Sequence, residues 1–127
     1  LLEEKMTRIK SMIGTAAGLT VLLAGTLAQP VAAADGVSAV TEGKVLSEDR
    51  KKGNCLACHM MGDGAYPGNI APPLVAMQSR YPNKEKLRAQ IWDATANNPD
   101  SPMPPFGKHR IVSDEELDKI VEYVWTL

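Results

Sequence analysis

Five adjacent residues constrain this chain more than any other feature: Cys55-Leu56-Ala57-Cys58-His59, which hold both of its cysteines. A disulfide between them closes a very small ring, a form found mainly in redox-active CxxC sites. Such a site sits beside a βαβ pattern, and the strand-type alternation of β-branched residues is missing. A zinc ribbon needs a second pair of ligands, and the one other histidine is His109. With histidine directly after the second cysteine, the motif reads as c-type haem attachment. Two intervening residues let both sulfurs reach the two vinyl groups on one porphyrin edge and form thioethers. His59 then lies under the iron as proximal ligand, with a neutral ring nitrogen to donate.

A covalently held cofactor also answers a problem of size. The 127 residues make one domain, and residues 1–34 differ from the rest. Arg8 and Lys10 precede an uncharged, apolar or small stretch from Ile13 to Leu27, and Ala32-Ala33-Ala34 follows before Asp35. A basic start, an apolar middle and an A-x-A site form the signature of a secretory signal peptide. Cleavage is expected after Ala34, with Met6 the expected initiator. The alternative, an uncleaved anchor helix, has an apolar run of about 15 residues where a span needs about 20. No membrane span is therefore expected after cleavage. Of the 14 Lys+Arg and 15 Asp+Glu, three and two lie in the first 34 residues. The 93-residue remainder, 35–127, keeps 11 and 13, a formal charge of −2. That balance speaks against nucleic-acid binding. A chain this short buries little of its own surface and is marginal unless something else fills the core. Phe is scarce, at one residue, and a large flat apolar ring makes up that shortage.

Four helical segments are expected after residue 34. The first covers residues 38–51, with Gly43 at mid-helix. An interior glycine costs about 1 kcal/mol against alanine and marks either a close helix crossing or a tolerated surface position. The second is a short turn over residues 55–60 that carries the haem bonds. A Gly- and Pro-rich loop follows, then Ala71-Pro72-Pro73-Leu74. A proline carbonyl there either accepts a bond from the second ring nitrogen of His59, fixing its tautomer, or belongs to a plain rigid turn. The third helix covers residues 84–96, with Asn83 as N-cap, Leu87, Ile91 and Thr95 at four-residue steps and Trp92 beside them. It stops before Asn97-Asn98-Pro99. The fourth starts at Ser113, which forms a capping box with Glu116. Asp114 and Glu115 sit in its first turn, where the helix dipole favours acids. Leu117, Ile120, Val121 and Val124 make one apolar stripe, whose expected partner is the first helix near Gly43.

The iron needs a sixth ligand after His59. Met60 and Met61 follow His59 directly, so their backbone stays on the proximal side. Met77 follows the double proline, a place that suits a core residue. Met103 stands in Ser101-Pro102-Met103-Pro104-Pro105-Phe106, 44 residues after His59, enough chain to pass round the ring. Prolines on both sides stiffen that loop, and Met103 is the favoured donor, with Met77 and His109 as alternatives. Methionine raises the reduction potential relative to harder donors, and a six-coordinate iron has no open position for substrate. Both points favour electron transfer over oxygen chemistry.

The CxxCH, the Pro-rich stretch and a methionine before the final helix resemble the class I cytochromes c. Among these the chain is similar to the SoxX family, the monohaem subunits of the SoxAX complexes of bacterial thiosulfate oxidation. The words that carry the likeness are Asn69-Ile70-Ala71-Pro72-Pro73-Leu74, Trp92-Asp93-Ala94 and Met103-Pro104-Pro105-Phe106-Gly107, and it runs over most of residues 43–127. It implies an all-α class I cytochrome c fold around one haem c, with the first and last helices packed crosswise. Carried over by residue, Cys55 and Cys58 hold the haem and His59 and Met103 ligate the iron. It further implies a periplasmic heterodimer with a SoxA-like dihaem or monohaem cytochrome subunit. That pair joins thiosulfate to a cysteine of the SoxYZ carrier, with transient contact through the complex. The SoxX-like chain takes the released electrons and passes them to a downstream acceptor cytochrome. Both cysteines are consumed by haem, so the chain is expected to be a non-catalytic subunit of an L-cysteine S-thiosulfotransferase. Three rivals stand beside this reading: a free-standing periplasmic cytochrome c shuttle, a sensing haem protein with an open sixth site, and a thiol oxidoreductase. Lys51, Lys52, Lys108 and Arg110 suit a steering surface or a solvated face equally.

Overall fold

The computed structural model describes the backbone of residues 31–127 and the side chains from residue 38 onward. The expected signal peptide lies outside the described residues, except that its last four positions begin the first helix. The order is α1 (Val31–Glu48), a 3-10 turn (Cys55–Ala57), α2 (Met77–Arg80), α3 (Lys84–Trp92), a second 3-10 turn (Ala94–Ala96) and α4 (Asp114–Trp125). Among the described residues there is no strand, only an isolated parallel bridge between Met61 and Leu74. Nor is any helix of these residues long and apolar enough to cross a membrane. The architecture is all-α, as the sequence led us to expect.

Helix α4 forms where its sequence specifies. The Ser113 hydroxyl accepts from the Glu116 amide at 3.1 Å, and the Glu116 carboxylate accepts from the Ser113 amide at 2.8 Å. Two of the amides left over at a helix start are thereby satisfied. Its apolar stripe, Leu117, Ile120, Val121 and Val124, is buried together with Tyr123.

The stripe packs across α1, and Gly43 is the crossing point. A Cβ at Gly43 would stand 1.8 Å from the Lys119 carbonyl oxygen and 3.0 Å from the Tyr123 Cβ. The two backbones touch, and no other side chain fits between them. Around the crossing the fully buried Ser47 donates its hydroxyl back to the Gly43 carbonyl at 2.6 Å. Lys119 spans the helices, pairing with Glu42 at 2.7 Å and Glu115 at 2.9 Å. These hydrogen bonds raise the Lys119 pKa. The Gly43→Ala variant gains about 1 kcal/mol of helix propensity. It nevertheless drives a methyl into backbone that cannot rotate away, at the severe end of the roughly 1–3 kcal/mol that overpacking costs. A net loss of about 2 kcal/mol or more is expected in urea unfolding of the holoprotein. Unchanged stability would mean that the helices do not meet there.

Two boundaries differ from expectation. Helix α1 starts upstream of residue 38 and stops at Glu48 rather than at 51. The Asp49 carboxylate takes the Lys51 amide at 2.8 Å, and the Gly53 amide returns to the Leu46 carbonyl at 3.0 Å. The chain reverses over its own helix end and delivers Cys55 beside it. Helix α3 is capped by Asn83, which accepts from the Lys86 amide at 2.9 Å, and it buries Leu87 and Ile91. It ends at Trp92, four residues early, because the Asp93 side chain accepts from the Thr95 amide at 3.1 Å and starts a separate 3-10 turn. Lys84–Glu122 and Arg88–Asp118 pairs, both 2.6 Å, align α3 with α4, although ion pairs this exposed contribute little stability. The short helix α2 was not foreseen. It ties the C-terminus down through the Met77 amide on the Leu127 carbonyl at 3.0 Å and Gln78 on the Trp125 carbonyl at 3.1 Å.

Candidate haem site

The CxxCH residues share one turn. The Ala57 amide bonds the Asn54 carbonyl at 3.0 Å, and the Cys58 and His59 amides both bond the Cys55 carbonyl, at 3.2 and 2.9 Å. Cys55 and Cys58 form no disulfide with each other and are both half-buried. Burial pushes the Cys55 thiol up to about 11, only partly offset by hydrogen bonds, one of them with Ser47. The loop after the motif is stitched back onto it. The Gly68 amide bonds the Leu56 carbonyl at 2.7 Å, the Ala71 amide the Cys58 carbonyl at 3.0 Å, and the Leu74 amide the Met60 carbonyl at 2.8 Å.

This stitching sets the histidine. His59 Nδ1 lies 2.7 Å from the Pro72 carbonyl oxygen. A carbonyl only accepts, so Nδ1 carries the proton and Nε2 keeps its lone pair. Of the two readings of the proline stretch, the hydrogen-bonding one holds.

Cys55, Cys58, His59 and Met103 line a single cavity of about 690 Å³. Its inner wall is the core itself, with Met77, Leu87, Ile91, Phe106, Ile120 and Val124 facing in. The other side chains are as informative. Arg50, Lys51, Lys52 and Arg80 line the cavity, and no carboxylate does. A guest with a large apolar body, two points for thioether attachment, a metal seeking a soft or nitrogen donor and peripheral acid groups fits this lining. Haem is such a guest. Charge alone did not mark Arg80 as a wall of the cavity, because nothing in the local sequence places it there. Its guanidinium donates to the Pro73 carbonyl at 2.8 Å.

The candidate sixth donors separate clearly. Met60 is 55 % exposed, and Met61 is buried at 1 % in the core. Neither lines the cavity, and neither does His109, which is exposed. Met77 lines it but is buried at 2 %, and its sulfur accepts from the Arg80 guanidinium at 3.5 Å. Met103 is half-buried at the cavity wall, with its amide on the Ser101 hydroxyl at 3.3 Å. Of the four cations singled out in the sequence, two are engaged: Lys52 with Glu116 and Lys108 with Asp93, each at 2.7 Å.

Comparison with known proteins agrees with this fold. The family model described as cytochrome C oxidase, cbb3-type, subunit III matches residues 38–124. Over 76 residues the chain is 36 % identical to an uncharacterized lipoprotein of Aquifex aeolicus (strain VF5), covering 58 % of this chain and 36 % of the relative. The chain thus spans about a third of the length of that curated relative. A chain of the SoxXA crystal structure from P. pantotrophus aligns with a TM-score of 0.61 at 26 % identity, covering 68 % of this chain and 79 % of that one. With the family match running over all four helices and a SoxX-like class I cytochrome c fold built around the CxxCH turn, this chain belongs to the cytochrome c family described as cbb3-type cytochrome c oxidase subunit III and is an electron-transfer cytochrome.

Proposed function

We propose that the chain is the SoxX-like electron-transfer subunit of a SoxAX-type complex, carrying one haem c on Cys55 and Cys58 with His59 and Met103 as iron ligands. The observation that carries the site assignment is the single cavity lined by both the CxxCH turn and a half-buried Met103, while Met61 lies away from it and Met77, on its inner wall, is 2 % exposed with its sulfur on Arg80. When bound, haem c supplies a one-electron iron couple. The protein's residues do the rest. The Cys55 and Cys58 thioethers fix the ring's edge to the turn. Pro72 holds the His59 proton on Nδ1 and leaves the Nε2 lone pair to ligate, which would raise ligand basicity. Met103 supplies a soft sulfur that favours the reduced metal. The apolar wall of Leu87, Ile91, Ile120 and Val124 would exclude water, and Arg50 and Lys51 at the cavity would meet the guest's acid groups. With His59 and Met103 as its two protein ligands, the group would exchange electrons and leave no position for a substrate.

Export through the segment 1–34, cleaved after Ala34 to leave 35–127, belongs to the same reading, as does a periplasmic setting. So do a SoxA-like partner, contact with SoxYZ through it, and a downstream acceptor cytochrome. The likeness to a SoxXA chain supports the partner assignment. The complex is purified from its native source and stained for haem on a denaturing gel. The expected result is a haem-staining band for this chain that co-purifies with a second, larger haem-staining polypeptide, and reduction by thiosulfate when SoxYZ is present. A haem-staining chain that elutes alone as a small monomer would replace the subunit reading with that of a free electron shuttle.

A further inference from the structure

Met103 has to be held at the cavity by a loop that cannot hold itself. Pro102, Pro104 and Pro105 have no N–H to donate, and the Met103 amide reaches only the nearby Ser101 hydroxyl at 3.3 Å, so the segment depends chiefly on its two ends. At the first end the Ser101 amide bonds the Asn98 carbonyl at 2.9 Å. At the second end, the end of α3 grips the chain. The Trp92 carbonyl accepts from both the Gly107 and Lys108 amides at 3.2 Å. The Trp92 ring lies so close over Gly107 that a Cβ there would stand 1.8 Å from its Cδ1. Next to it Asp93 is buried at 5 %. Its carboxylate takes the Lys108 ammonium at 2.7 Å, the Thr95 amide at 3.1 Å and the Thr95 hydroxyl. Asp93 is one of two buried polar or charged residues, with Ser47, among the described residues. A buried carboxylate is kept only when it is paired, and here its cation comes from the Met103 loop.

We infer that Asp93, acting through Lys108, is the positioning residue that locks the Met103 loop onto α3 and keeps the methionine sulfur at the iron. The inference rests on Met103 as the distal ligand. Asp93 does not line the cavity; it sets the fraction of time the loop is closed.

The test measures that fraction. In the oxidised holoprotein, imidazole competes with the methionine for iron, and its binding is followed by loss of the sulfur-to-iron charge-transfer band. Apparent affinity for a competitor rises in proportion to the open fraction. D93N and K108M are each expected to bind imidazole about tenfold more tightly than wild type, and the double variant no more tightly than either single one. K108R restores the charge pair and returns the affinity toward wild type. K84M, which breaks a surface pair between α3 and α4, leaves it unchanged. Should D93N not accumulate, K108M carries the test alone, since the Lys108 side chain is 49 % exposed. Wild-type imidazole affinity in D93N or K108M with intact helical ellipticity would overturn the proposal, as would an equal rise in K84M. A charge-transfer band that survives in M103A would instead overturn the ligand assignment beneath it.

Discussion

Chain made without haem attachment, as in a C55A/C58A variant, is expected to lose most of its helical ellipticity and to unfold without a cooperative transition. The cavity of about 690 Å³ is walled by Leu87, Ile91, Ile120 and Val124, the same side chains that join α3 to α4. Were it closed and dry, at roughly 24 cal/mol per Å³ of protein cavity, an empty space of that size would cost on the order of 15 kcal/mol. A domain's whole stability is about 5–15 kcal/mol. Water entering the open side lowers the figure, but even a third of it removes a small domain's margin. The ion pairs that remain, Arg88–Asp118 or Lys84–Glu122, lie at the surface and do not compensate. Far-UV circular dichroism of the haem-free chain decides the matter. Native-like helicity with a sharp melt would show that the protein core, and not the guest, holds the helices.

That dependence explains which parts of the fold could be read from the sequence. Local signals were legible where they act locally. The Asn83 cap, the Ser113–Glu116 capping box and the α4 stripe each lie within one or two turns of chain. Gly43 was legible too, because a glycine in mid-helix is costly unless something needs the space, and the Lys119 carbonyl does. The CxxCH word is chemistry compressed into five residues. What sequence could not give were interactions whose partners lie far along the chain. Helix α3 ends four residues before its spacing predicts because the Asp93 carboxylate turns onto the Thr95 amide, and Lys108, fifteen residues further on, holds it there. Helix α2 has only four residues and is held by the carbonyls of Trp125 and Leu127. The choice at the proline stretch waited on the Pro72 carbonyl meeting His59. Two of the three words that pointed to SoxX meet in space: Trp92 of Trp92-Asp93-Ala94 holds Gly107 of Met103-Pro104-Pro105-Phe106-Gly107 with its carbonyl and its ring.

Replacing that methionine should have the largest effect on function with the least on structure. M103A is expected to lose the sulfur-to-iron charge-transfer band and to bind carbon monoxide readily when reduced. Its reduction potential is expected to fall by more than roughly 100 mV, a fraction of the ~0.8 V over which axial ligands set haem potentials. The direction follows from the donor. A thioether is a weak, soft ligand that favours the reduced metal, and water or hydroxide in its place favours the oxidised one. Helical ellipticity should barely change, because Met103 is only half-buried and stands in a loop. M77A provides the contrast. Met77 is buried at 2 % with its sulfur on Arg80, so its loss should cost about 2–5 kcal/mol of stability and leave the charge-transfer band in place. If the band disappeared in M77A and persisted in M103A, the two methionines would exchange roles. The core would then have to open at α2 to let sulfur reach the metal. The bonds of Met77 and Gln78 to the C-terminal carbonyls and the Arg80 contact with the Met77 sulfur oppose that opening, whereas the proline-flanked segment around Met103 already stands at the cavity wall.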